Sequence, residues 1–230
     1  MAGESLQSGV RVFTKSLKQS YEHLGMVLVT SIIWFALAFM PTAFLISFAY
    51  QAPCVVTFLA VAIEIVFLAG PVTTAMCSVA GALIRSEAVY LREIWSHFRR
   101  NYSLSVKVSA TMLVIIFVLI VDVVFFLSSS KRIVQWLSVP WLYLILYWAM
   151  MTTYIFPLMA HQRVRLLKIL QRAALLVLDN LVVTIMVMLE ALLIVAASGL
   201  LLFPVVFLLG GVLALLLATA LAEVLEKYGE

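Results

Sequence analysis

The chain has 230 residues, of which 65% are hydrophobic and 11% are charged, and its formal net charge is +4. Ordinary globular domains are roughly half apolar and about a quarter charged, so this composition excludes a water-soluble domain. We therefore expect an integral membrane protein, all-α in fold class and solvated by the lipid bilayer. The placement of Lys and Arg accounts for the positive charge as a topology signal, so no nucleic-acid partner is expected.

Six apolar runs are long enough to cross a bilayer as helices, for which about 20 residues are needed. No apolar run precedes the first one, which is longer than the apolar part of a typical cleaved signal peptide, so we expect it to be retained. Only Ser198-Gly199 separates the last two runs, which predicts a tight hairpin. The predicted spans are Leu24–Ala49, Cys54–Leu83, Leu104–Leu127, Val134–Ala160, Ala173–Ala197 and Leu200–Ala222.

These spans predict a single transmembrane domain. It consists of an amphipathic N-terminal segment at residues 1–23, a six-helix bundle at residues 24–222 and a tail at residues 223–230. Thirteen of the Lys and Arg residues fall on the side of the two termini, and only Lys131 and Arg132 fall on the other side. Short basic loops stay in the cytoplasm, so both termini are predicted to be cytoplasmic.

Three segments on the predicted cytoplasmic side are amphipathic at helical spacing. Two interpretations stay open: the segments lie on the anionic inner leaflet as interfacial helices, or one of them docks on a partner. The apolar stripes are Leu6, Val10, Phe13, Leu17, Tyr21 and Leu24, then Leu91, Trp95, Phe98 and Tyr102, then Val164, Leu167, Leu170 and Ala174. The residues expected to contact lipid or a partner are Arg92, Trp95, Arg99, Arg100, Arg163, Arg165 and Lys168.

Three acidic residues inside the spans form the candidate polar site: Glu64, Asp122 and Glu190. Glu64 lies about 15 Å into the second span, and the other two lie between the midplane and the outer boundary. An acid that faces lipid costs about 3 kcal/mol or more on insertion, so we expect all three to face inward. Either they form a hydrogen-bonded polar knot or they line a solvated cavity.

The stretch "IEIVFLAGPVTTAM", Ile63 to Met76, combines Glu64 with the helix-breaking pair Gly70-Pro71. Pro71 has no N–H to donate to the carbonyl of Phe67, so the helix is expected to kink or loosen just after Glu64. Gly70 removes side-chain bulk, so a neighbouring helix can approach closely. The alternative interpretation is a proline kink that only shapes packing.

Three aromatic residues lie deep in the fourth span, away from the boundary where aromatic belts occur: Tyr147, Trp148 and Tyr154. Aromatic rings beside carboxylates suit sugars, whereas core packing is the other explanation for each ring.

No pattern in the chain indicates catalysis, a metal or a cofactor. His23, His97 and His161 come from separate boundary segments, and no HExxH or other dense ligand motif is present. Neither a Walker A sequence nor GxGxxG occurs, and Ser198 and His161 are predicted near opposite faces of the membrane. We therefore expect no enzyme, no catalytic residue, no cofactor and no metal.

Two stretches of the chain combine several motifs in a fixed order. The first, Ala69 to Asp122, has Gly70-Pro71 followed by small residues, an arginine-and-acid segment, then Trp95, Phe98 and Asn101, and a span that ends in Asp122. The second is "FPLMA…LLKILQRAALLVLDNL", Phe156 to Leu181. Together they resemble the YesL-type family of bacterial membrane proteins. Gln171 departs from the family pattern, in which Asn is expected before the alanine.

The resemblance implies a six-helix protein of the bacterial cytoplasmic (inner) membrane. Members are often encoded beside carbohydrate-uptake transporters and polysaccharide-degrading enzymes. This favours an accessory component of an ABC-type oligosaccharide uptake system, with ABC permease subunits and possible oligosaccharide contact as its partners. The alternatives are an independent small-solute carrier or channel that uses the three acids, or a structural or regulatory membrane subunit without a ligand.

Overall fold

The computed structural model describes residues 2–48, 54–85, 87, 91–161, 165–201 and 206–228, and none of these lies in a β-strand. Two π-helical segments, Phe35–Phe39 and Ile65–Ala69, interrupt the first two spans. The α-helices of the described residues are α1 (Ala2–Glu22), α2 (Leu24–Trp34), α3 (Met40–Phe48), α4 (Cys54–Glu64), α5 (Gly70–Ile84), α6 (Leu91–Leu127), α7 (Arg132–Trp136), α8 (Ser138–His161), α9 (Leu166–Asp179), α10 (Leu181–Leu201) and α11 (Leu209–Glu226).

Six helical stretches of the described residues are long and apolar enough to cross a membrane, which confirms the predicted all-α, six-span architecture. They are Leu24–Ser47, Val55–Ile84, Arg92–Leu127, Arg132–His161, Leu181–Leu200 and Leu209–Glu226. α1, the start of α6, the end of α8, α9 and the end of α11 lie at one end of the bundle, which we call the basic end.

The predicted fifth span was wrong at its start. The helix breaks at Asn180, whose φ of −128° and ψ of 44° are not helical, so α9 is a separate helix and the span begins at Leu181. The C-terminal segment stabilises this break: Asn180 Nδ2 donates to Tyr228 Oη at 3.1 Å, and Lys227 Nζ donates to Asn180 Oδ1 at 3.1 Å. A short polar residue that finds partners outside the helix can leave the helical conformation at little cost.

The predicted hairpin at Ser198-Gly199 was also wrong, because α10 continues through both residues to Leu201. Glycine is more frequent in membrane helices than in soluble ones, so its occurrence does not mark a turn there. The sixth span therefore begins at Leu209 instead of Leu200, and it extends to Glu226.

α5 and α11 form the centre of the bundle, and two-thirds of the last span is buried within the protein. Small residues permit this close packing. A Cβ atom at Gly211 would lie 2.6 Å from the backbone carbonyl oxygen of Val27. Only glycine therefore fits where α11 crosses α2 at this position. The Gly211 N–H donates to Ser31 Oγ at 2.8 Å, which ties the two helices together.

α5 and α6 meet along small and polar residues spaced by four on each helix. Both ends of this seam are in contact: Asn101 Nδ2 donates to Ser78 Oγ at 3.3 Å, and Gly70 lies directly against Ser109. Helices in lipid gain affinity from close backbone approach and interhelical hydrogen bonds, which explains the composition of the seam. Its buried members are Gly70, Thr74 and Ser78 on α5 and Asn101, Ser105 and Ser109 on α6.

α1 packs across α10 and α11 at the basic end. Its buried face consists of small residues, Gly9, Val12, Ser16 and Ser20. Three members of the predicted apolar stripe that lie on α1, Val10, Leu17 and Tyr21, stay exposed. A third sector of α1 is basic. In it, Arg11 Nη1 lies 3.4 Å from Glu223 Oε1 on α11. The exposed apolar sector is therefore available to the bilayer while the small-residue face holds the helix on the protein.

α9 repeats this arrangement. Its buried face is Ile169, Ala173 and Val177, none of which is exposed, and it packs against α8. The Leu167 and Leu178 side chains are exposed beside this face. A helix with one packed face and a neighbouring exposed apolar face is typical of an interfacial position.

Candidate functional site

Glu64 lies inside the protein, and its hydrogen-bond partner among the described residues is Thr42 on α3. The glutamate is 8% exposed, and its Oε2 lies 2.6 Å from Thr42 Oγ1. Thr42 Oγ1 also lies 2.7 Å from the Ala38 carbonyl oxygen, so one hydroxyl hydrogen faces two acceptors. Glu64 Oε1 is buried without a hydrogen-bond partner among the described residues. The pair therefore links α3 to the end of α4 and leaves one carboxyl oxygen unsatisfied.

Asp122 and Glu190 are half-buried on α6 and α10. Among the described residues, neither acid takes part in a hydrogen bond or an ion pair, and Glu190 Oε2 is buried without a partner. The three predicted acids thus have no hydrogen bond or ion pair with one another within the described part of the chain. None of the three acids lines a described cavity.

Gly70 and Pro71 follow a π-helical segment, Ile65–Ala69, in which the Gly70 N–H donates to the Ile65 carbonyl five residues earlier. The first span has the same arrangement, in which Phe35–Phe39 precedes Met40-Pro41 and the Met40 N–H donates to the Phe35 carbonyl. In each case the proline has no N–H to donate to the carbonyl oxygen four residues earlier. The helix widens just before the proline. The two widened segments contact each other beside Glu64.

The three deep aromatics of α8 pack and bridge helices. Tyr147 Oη donates to the Ala174 carbonyl at 2.9 Å and so holds α9, and Tyr154 Oη lies 2.9 Å from Thr184 Oγ1 on α10. Tyr154 is fully buried. Trp148 Nε1 is buried without an acceptor among the described residues. None of the three lines a described cavity.

The predicted cytoplasmic contact residues occupy two helices. Arg92, Trp95 and Arg99 are exposed on one side of α6, which we call the α6 docking face, and the Trp95 ring stacks on Phe98 with centroids 5.4 Å apart. Arg100 turns away from that face towards a cavity. Arg165 and Lys168 are exposed at the start of α9. Arg163 lies outside the described residues.

That cavity, the basic pocket, lies at the basic end and has a volume of about 130 Å³. Its polar wall consists of Arg85, His97, Arg100, His161 and Ser78, which come from α5 and its C-terminal end, α6 and α8. Its apolar wall includes Cys77, Pro157, Ala160 and Leu221. No Asp or Glu lines the pocket among the described residues.

Hydrogen bonds orient the cationic side chains of the basic pocket. Arg100 Nη2 lies 2.9 Å from His97 Nδ1. Because a guanidinium only donates, His97 Nδ1 accepts, and the proton of the neutral imidazole then sits on Nε2. Arg85 binds Glu87 through Nε at 2.8 Å and Nη2 at 3.4 Å. This hydrogen bond and the charge of Arg85 hold the pKa of the exposed Glu87 carboxyl below its ordinary value.

The basic pocket was not predicted from the sequence, because its walls come from four segments that are far apart in the chain. His97 and His161 were identified only as boundary histidines, and Arg85 only as one of many loop arginines. Pro41 was also missed, although Met40-Pro41 repeats the sequence signal of Gly70-Pro71.

These features define a multi-pass α-helical membrane protein. A family model described as "Protein of unknown function, DUF624" matches residues 27–123, from α2 to near the end of α6. The chain is thus similar to that family over somewhat less than half of its length, a part that includes Glu64, Gly70, Pro71 and the α6 docking face. No curated protein and no solved structure matches the chain.

Proposed function

We propose that this protein is a YesL-type accessory subunit of the bacterial cytoplasmic membrane that docks on an ABC-type oligosaccharide uptake system. The α6 docking face carries the proposal. Trp95 is 64% exposed there, and Arg92 and Arg99 lie on the same side of the helix. An exposed aromatic residue flanked by arginines is the composition that protein interfaces favour.

The length of α6 supports a position beyond the bilayer. The helix has 37 residues, which correspond to about 55 Å, whereas the hydrocarbon core is about 30 Å thick. Its apolar part begins at Leu104, so Trp95 lies about 13 Å beyond the apolar boundary along the helix. Ile94, on the opposite side, is buried against the end of α5 and keeps this extension rigid. The partner surface that complements this face is acidic.

The separation of the acids favours docking over independent transport. A carrier that uses Glu64, Asp122 and Glu190 needs them around one solute, whereas Glu64 is paired with Thr42 and none of the three lines a described cavity. The aromatic residues expected near a sugar instead bridge α8 to α9 and α10. Oligosaccharide contact, if it occurs, belongs to the complex with the permease.

Co-purification in mild detergent tests the proposal. The wild-type protein is expected to retain permease subunits, and Trp95→Ala combined with Arg92→Gln and Arg99→Gln is expected to lose them. Trp136→Ala is the matched control, because Trp136 is 69% exposed at the opposite end of the bundle. Solute uptake into vesicles that contain only the wild-type protein, abolished by Glu64→Gln, would instead support the independent carrier.

A further inference from the structure

We infer that the basic pocket binds a phosphate group carried on an apolar body, of the kind that an anionic phospholipid presents. This inference concerns a different surface from the α6 docking face and does not depend on the proposed accessory function.

The donors of the basic pocket suit a phosphate. Arg85 and Arg100 provide two guanidinium groups, and the tautomer fixed by Arg100 leaves His97 Nε2–H free to donate. Guanidinium groups bind phosphate oxygens through two parallel hydrogen bonds. No acidic side chain lines the pocket within the described part of the chain, and the nearby Glu87 is paired with Arg85. Ser78 is already satisfied, since its hydroxyl donates to the Thr74 carbonyl at 3.0 Å, so the charged groups carry the recognition.

The other wall of the basic pocket suits an apolar body. Pro157, Ala160 and Leu221 line it, and the pocket lies at the end of the bundle where the basic residues indicate the headgroups of the inner leaflet. Basic pockets between membrane helices on this side are typical of headgroup binding. A volume of about 130 Å³ accommodates a phosphate with its first substituents, while longer chains leave along the lipid-facing surface.

Binding to the purified full-length protein tests this inference. Native mass spectrometry would compare phosphatidylglycerol with phosphatidylcholine, and thermal unfolding would be followed with and without inorganic phosphate. Phosphatidylglycerol is expected to bind at least tenfold more tightly than phosphatidylcholine. Arg100→Gln is expected to weaken phosphatidylglycerol binding about tenfold, because it removes a charge-assisted hydrogen bond.

Lys107→Gln is the matched control, because Lys107 lies two turns further along α6, carries the same charge, is exposed and does not line the pocket. Its effect on lipid binding is expected to stay within about twofold. Stabilisation by inorganic phosphate that Arg100→Gln abolishes, without lipid selectivity, would support the same phosphate site with a soluble ligand. Equal losses in the Lys107 and Arg100 variants, or no anion binding by the wild type, would overturn the inference.

Arg100→Lys keeps the inference testable should Arg100→Gln fold poorly. It retains the charge and loses the planar fork, so an intermediate loss of lipid affinity is expected. Unchanged affinity in Arg100→Lys together with unchanged affinity in Arg85→Gln would also contradict the assigned role of the guanidinium groups.

Discussion

Gly70 on α5 lies against Ser109 on α6 so closely that no side chain fits at position 70. A Cβ atom there would overlap Ser109 Oγ and would lie 2.9 Å from Ser109 Cβ and 3.2 Å from the Ile65 carbonyl oxygen. Gly70→Ala is therefore expected to push the two helices apart and to destabilise the protein by about 1–3 kcal/mol. Thermal unfolding in detergent measures the effect.

Two further variants separate this contact from the general effect of replacing glycine in a helix. Gly199→Ala is the control, because a Cβ atom at Gly199 meets nothing within 4 Å, and it is expected to leave stability unchanged or slightly raised. Ser109→Gly is expected to recover part of the stability lost in Gly70→Ala. A Gly70→Ala protein as stable as Gly199→Ala would contradict the close approach.

The pairing of Thr42 with Glu64 predicts non-additive effects on stability. Thr42→Val removes the hydrogen bond to a buried carboxyl group, so a loss of about 1–3 kcal/mol is expected. Adding Glu64→Leu to Thr42→Val is expected to restore much of that stability, because no unsatisfied polar group remains. A double-mutant cycle of unfolding free energies measures the coupling, and strictly additive losses would show that the two side chains act independently.

The number and type of the spans were predictable because an apolar run of about 20 residues has one stable solution in a bilayer, a helix. The residues that form the packed faces of α1 and α9 were not predictable from the sequence. Lipid is as apolar as leucine, so residues such as Leu17 and Leu167 gain nothing by facing the protein, and Val12, Ser16 and Ala173 make the contacts.

Two other features depend on contacts between distant segments. The break at Asn180 rests on a hydrogen bond that Asn180 accepts from Lys227 and one that it donates to Tyr228, and a local sequence pattern contains neither partner. The basic pocket likewise combines the end of α5 with α6, α8 and α11. The packing of the helices brings the partners of Asn180 and the walls of the basic pocket together. The order of residues along each helix does not specify that packing.

The distribution of basic residues predicts which end of the bundle faces the cytoplasm. Reporter fusions or cysteine labelling should place Arg92 and Lys168 inside and Lys131 outside, because short basic loops are retained in the cytoplasm. Labelling of a Lys131→Cys variant in intact cells by a membrane-impermeant reagent, with Lys168→Cys unlabelled until the cells are opened, is the expected result. The reverse pattern would refute the predicted orientation and move the α6 docking face to the outside.

The π-helical segment before Pro71 predicts a structural effect of removing the proline. Pro71→Ala supplies the N–H that the Phe67 carbonyl lacks, so Ile65–Ala69 is expected to revert towards an α-helix. That change rotates Glu64 relative to α5 and separates it from Thr42. The coupling free energy between Thr42 and Glu64, measured by the double-mutant cycle of Thr42→Val and Glu64→Leu, is therefore expected to be smaller in the Pro71→Ala background than in the parent protein. Pro157→Ala, which alters a proline inside α8, is the control.

The ion pair between Arg85 and Glu87 predicts a variant that binds anions more tightly. Glu87 is charged at neutral pH, since Arg85 holds the pKa of its carboxyl below the ordinary value, and it occupies two guanidinium nitrogens of a pocket residue. Glu87→Gln removes the competing charge and frees Arg85, so affinity for phosphatidylglycerol is expected to rise about two- to fivefold. Glu22→Gln removes the same charge from an exposed pair with Lys18 on α1 and is the control for net charge. Native mass spectrometry of the two variants side by side distinguishes the effects. An equal rise in both would assign the effect to net charge, whereas a rise in Glu87→Gln alone would assign it to the neighbourhood of Arg85 and support anion binding there.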